Sequence, residues 1–146
     1  MAVLMAIRQA ILGHVVLNVR DLQKSERFYR EVLGMRVSGK NLRTKMCFLS
    51  FGREHHDIAL AEVRGRRSKI PKNKVSPLHH FSVYVPTPGE VDGMLPILNK
   101  KRIPIVSGPE ILEVAENRSI SFLDPDGNRV EVACNRHKFG FKARHR

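Results

Sequence analysis

Apolar and polar positions alternate with period two over GHVVLNV (13–19), which sets Val15, Leu17 and Val19 on one face and His14, Val16 and Asn18 on the other. The alternation returns in HHFSVYV (79–85), with Phe81, Val83 and Val85 opposed to His80, Ser82 and Tyr84. It returns again in NRVEVAC (128–134), where Val130, Val132 and Cys134 oppose Arg129, Glu131 and Ala133. In LQKSERFYREVL (22–33) the period becomes helical: Leu22, Ser25, Tyr29, Val32 and Leu33 share a face, Asp21 is placed to cap, and Gly34 supplies the stop. A second helix opens at Thr87 and Pro88 with Val91, Leu95 and Leu98 as its buried stripe, and Pro96 predicts that it is kinked or short. Strands are expected at MRVSGK, KMCFLSFG and HDIALAEV after the first helix. After the second they are expected at IPIVSG, SISFLD and NRVEVAC, the last two joined by the turn DPDG.

These elements spell βαβββ twice, an α+β duplication in one domain, with module one at about 11–63 and module two at about 78–135. Each half is too small for a core of its own, so the halves should pair. A basic linker at 64–77 separates them and a basic tail covers 136–146. Both contribute to a net charge of +12, read as solvated surface; without a recognisable motif or aromatic interleaving, nucleic acid is disfavoured as a partner. The longest apolar runs fall far short of a membrane span, and the opening MAVLMAIRQA lacks a basic leader and a cleavage site. Two cysteines, Cys47 and Cys134, make no disulfide framework, and a cytoplasmic protein is expected.

The alternation has a chemical consequence. Three strands each oppose an apolar face with one good metal ligand: His14, His80 and Glu131. Two imidazoles and a carboxylate are the donor set of a facial triad, which leaves coordination positions open. Such a set favours Fe(II), and Mn(II), Zn(II), Ni(II) or Co(II) accept similar donors. Three further titratable groups, His55, His56 and Asp57, crowd the entrance to the strand IALAEV, where period two puts His56 with Ile58 and Leu60. An exposed turn and strand cap is the plain account of them.

The duplicated βαβββ order, SERFYREVLGM after the first strand, LHHFSVYV opening the second half and FLDPDGNRVEV near its end resemble the vicinal oxygen chelate superfamily, from about Ile11 to Asn135. That superfamily includes glyoxalase I, fosfomycin-resistance transferases, bleomycin-resistance proteins and extradiol ring-cleaving dioxygenases. The resemblance implies two modules whose curved mixed sheets form an incomplete barrel around one metal, at positions matching His14, His80 and Glu131. Glyoxalase I normally adds a glutamate whose place falls at or near Leu60, so that activity is disfavoured. In catechol-cleaving members a histidine opening an HD-I-A-like strand serves as acid–base, and His56 matches it.

What the resemblance implies is an Fe(II) extradiol-type dioxygenase of a catechol-like diol, a homodimer, with Tyr84, Asn18 and Ser121 lining the substrate. Two departures count against ring cleavage. Ser121 stands where the extradiol signature has tyrosine, and the histidine expected near Val114 is missing, leaving Tyr84, Asn117 or Arg118 to substitute. Another metalloenzyme of the scaffold, a thiol transferase or isomerase, and a metal-free binding protein of the bleomycin-resistance kind are the alternatives.

Overall fold

Strand β1 (Val15–Val19) buries Leu17 and Val19 and exposes Val16 and Asn18, as its alternation requires. The computed structural model describes residues 12–63, 78–112 and 117–135; the linker 64–77, the tail 136–146 and the position near Val114 lie outside them. Helix α1 (Leu22–Leu33) follows, then β2 (Arg36–Asn41), β3 (Met46–Ser50) and β4 (Ile58–Glu62). Module two repeats the order with β5 (Phe81–Val85), α2 (Pro88–Lys100), β6 (Ile105–Leu112), β7 (Asn117–Leu123) and β8 (Arg129–Cys134). The eight strands divide into two mixed sheets, β1-β4-β3-β2 and β5-β8-β7-β6, with no closed barrel. In each sheet the first and last strands of the module run parallel and the remaining pairs antiparallel.

The cap residues act as read. Asp21 accepts from the Lys24 amide, and Gly34 ends α1 in the left-handed region at φ 69°. Thr87 and Glu90 form a reciprocal capping box at α2. One helix reading needs correction: Pro96 neither shortens nor ends α2, which runs on to Lys100. Its stripe is Val91, Met94 and Leu98, with Leu95 half-buried against the same core. On α1 Ser25, Glu26, Phe28, Tyr29 and Val32 are buried, and Leu22 and Leu33 pack half-buried against the core. Glu26 tolerates this because Lys40 Nζ stands 2.7 Å from its carboxylate.

The helix-side faces of both sheets close over one apolar cluster that includes Leu17, Tyr29, Leu49, Leu60, Phe122 and Val132. Burying each large side chain contributes about 1.5–3 kcal/mol. A polar latch reinforces the junction. Tyr29 of α1 donates to Asp124 at 2.7 Å, while Arg20 and Ser25 donate to Asp126, both acids lying in the DPDG turn before β8. Asp124 also accepts the amides of Asp126 and Asn128 and the Asn128 side chain. Burial, then the charge of Asp124, pushes the Tyr29 phenol far up, so it remains a donor. Cys47 and Cys134 are buried and not joined by a disulfide, and burial raises the Cys47 thiol to about 11. Among the described residues no helix is long and apolar enough to cross a membrane.

Candidate metal centre

Each sheet turns its other face away from its helix. On sheet two, parallel pairing sets Ser82 beside Glu131, and antiparallel pairing continues the row to Ser121 and Ser107. Ser82 Oγ donates to Glu131 Oε1 at 2.7 Å and so fixes one carboxylate oxygen. His80 directly precedes β5, whose first residue Phe81 pairs with Val130 next to Glu131. Its Nδ1 stands 2.6 Å from Nδ1 of His79, one ring donating and the other accepting. That contact occupies Nδ1 of His80 and leaves Nε2 as the atom able to bind metal. His79 is exposed.

On sheet one, His14 directly precedes β1 and is exposed. His56 packs against it with ring centroids 4.4 Å apart, and against Phe48 at 5.0 Å. Phe48 pairs with Ala59, so His56 lies on the open face and not, as period two demands, with Ile58 and Leu60. The reason is local. Strand β4 begins only at Ile58, and residues 50–57 are folded by two bonds, Ser50 Oγ to the Glu54 carbonyl and the Phe51 amide to Asp57 Oδ2. Asp57 is thus a loop staple. His55 holds Nδ1 of His56 at 2.8 Å, and burial, then His14 and His55, push the His56 imidazole below its usual range. Val15 pairs with Ile58 as Phe81 pairs with Val130, so the counterpart of Glu131 is Ala59, beside Leu60, and a fourth ligand is absent.

Among the described residues, no three His, Cys, Asp or Glu side chains of one chain come together so as to hold a metal. His80 and Glu131 share one sheet, and His14 sits on the other. A groove of about 620 Å³ is lined from β1 by His14 and Val15 and from β5 by Ser82 and Tyr84. The chemistry of the three donors suits a divalent metal, and the set is incomplete in the single chain. Of the expected substrate residues, Asn18 and Tyr84 are exposed on the open faces, whereas Ser121 is buried. Arg118 is paired with Asp92 at 2.6 Å, and the Asn117 side chain lies outside the described residues. Residues missed as site candidates are Ser82, Ser107 and Arg129, all legible from the alternation of β5 and β8 and from the strand register.

The profile of the Glyoxalase/Bleomycin resistance protein/Dioxygenase superfamily matches residues 11–132. The chain is 34% identical over 82 residues to a catechol-2,3-dioxygenase of Bacillus subtilis (strain 168), covering 56% of this chain and 29% of that protein. It is 32% identical over 125 residues to biphenyl-2,3-diol 1,2-dioxygenase 3 of Rhodococcus globerulus, covering 83% and 61%. The chain therefore spans less than two thirds of either dioxygenase. A metallothiol transferase of Staphylococcus epidermidis is 26% identical, covering 83% of this chain and 79% of that protein. Among solved structures, an integron cassette protein from the mobile metagenome of the Halifax Harbour sewage outfall superposes with TM-score 0.67 at 25% identity, covering 88% of this chain and all of that one (100%).

Proposed function

Because this chain belongs to the Glyoxalase/Bleomycin resistance protein/Dioxygenase superfamily, we propose that it is a metal-dependent enzyme acting on vicinal oxygens of a small molecule. Within that class we assign it as an Fe(II) extradiol-type dioxygenase of a catechol-like diol. His80 and Glu131 hold the metal from sheet two, and His14 of the partner subunit completes the set in a homodimer. The shared site is supported by the separation of the donors within one chain, and by β1 and β5 each being paired along one side only. When bound, the metal supplies Lewis acidity and open positions for vicinal oxygens, and Fe(II) adds redox chemistry toward dioxygen. Two buried cysteines not joined by a disulfide suit a cytoplasmic protein.

The observation that carries this reading is the His56 ring against His14, on the open face. With Nδ1 engaged by His55, His56 offers Nε2 to take the proton of a diol hydroxyl and return it to the product. Phe48 packs on His56 and limits water there. Anaerobic Fe(II) loading followed by oxygen uptake with a panel of catechols tests it. Uptake that depends on Fe(II) and falls by about a hundredfold or more in His56→Ala is the expected result. Turnover unchanged by that substitution would remove the proton role.

A second reading has its own support. Ser121, where the extradiol signature has tyrosine, is buried and bonded to Arg129, so it is unavailable to orient a diol. A Lewis-acid transferase or isomerase needs no such group. Turnover with Zn(II) or Mn(II) and no oxygen consumption would favour it.

A further inference from the structure

Arg129 is half-buried and lies on the same face of β8 as Glu131, two residues along the strand, the two backbones about 7 Å apart. Nη2 donates to Ser107 at 3.3 Å and to Ser121 at 3.2 Å, both neutral hydroxyls, and Nε is buried without a hydrogen-bond partner. Among the described residues Arg129 enters no ion pair, whereas Arg20, Arg30 and Arg118 each meet a carboxylate. A guanidinium cannot shed its proton, and a half-buried one left uncompensated is costly. Bonds of 3.2–3.3 Å to hydroxyls are weaker than the short charge-assisted bonds it makes with an anion.

We propose that Arg129 is the anion-recognition group of this face, taking a carboxylate or phosphonate carried by the same molecule whose vicinal oxygens meet the metal position. The inference rests on the reading of the site given above and narrows its substrate class. Half-buried Ser107 stands beside the guanidinium as a further hydroxyl donor, and the chain's net charge of +12 favours the approach of anions.

Two ligand pairs differ only in the anionic group: catechol against 3,4-dihydroxybenzoate, and 1,2-propanediol against 1,2-dihydroxypropylphosphonic acid. Their binding to the full chain loaded with redox-inert Zn(II) is measured by calorimetry at low salt. In at least one pair the anionic member is expected to bind about ten- to a hundredfold more tightly, and the pair with the larger gain separates carboxylate from phosphonate. Arg129→Met should reduce that gain to less than about threefold while leaving the neutral diol unchanged, and Arg129→Lys should keep part of it. Circular dichroism checks folding, and Arg129→Gln replaces the Met variant if that one does not fold. Zn(II)-dependent diol binding without anion preference, or a preference that survives loss of the guanidinium, would overturn the role of Arg129 alone. Absence of Zn(II)-dependent binding by any of the four ligands would overturn the site reading together with it.

Discussion

On the open face of sheet two, Glu131 stands on β8 between Ser82 and Ser121, and His80 and Arg129 flank the row. At the equivalent place on sheet one is Ala59, buried between Val16 and Phe48, and the polar groups nearby are His14, His55 and His56. One βαβββ plan has thus produced two different surfaces. The second module carries a carboxylate fixed by Ser82, whereas the first gathers His14, His55 and His56 with Asp57 held by the Phe51 amide. The lesson is that duplication repeats the backbone and the apolar face, whereas the open faces have diverged.

The sharpest way to break that comparison is to remove the anchor. Glu131→Ala is expected to lower metal affinity by more than about a hundredfold, measured by competition with a chelating dye, with the fold intact. Next in size is the latch that ties α1 to the second module. Asp124→Ala strands the buried Tyr29 hydroxyl and removes four hydrogen bonds, and should cost about 3 kcal/mol in urea unfolding. His79→Ala frees the Nδ1 of His80 and should weaken metal binding about tenfold without changing stability. Tyr29→Phe keeps the ring packing and loses one bond to a carboxylate, about 1–2 kcal/mol.

The smallest effect is a slope with pH. Burial raises Asp124 above 3.8 even though Asn128, Tyr29 and Asp126 donate to it. The folded state therefore keeps a proton that the unfolded chain has released. Its contribution to stability is complete below 3.8 and is lost as pH rises through the raised folded value. Asp124→Asn should flatten this fall relative to the parent when urea unfolding is followed from about pH 3.5 to 6.5.

Much of this architecture was legible because period two and the helical period leave separate marks, and because Asp21, Gly34, Thr87 and DPDG punctuate them. Pro96 misled because one proline can sit within a helix whose Val91, Met94 and Leu98 are held by packing. His56 was misplaced for a related reason: alternation holds only inside a strand, and the Asp57 and Ser50 bonds turn the chain just before β4. His14, His80 and Glu131 could be singled out from alternation, but not their convergence, since that depends on how two sheets approach each other. Arg129 was placed on the polar face of its strand but not singled out, because an arginine there is ordinary until its bonded partners prove to be the hydroxyls of Ser107 and Ser121.

The central claim is a single cation held by His14 from one subunit and by His80 and Glu131 from the other. The direct measurement is bound metal in purified His14→Ala, in purified Glu131→Ala, and in their mixture after subunit exchange. Each variant alone should bind almost none, and each mixed dimer should regain one intact site. Metal bound by either variant as by the parent, or a mixture that recovers nothing, would contradict it.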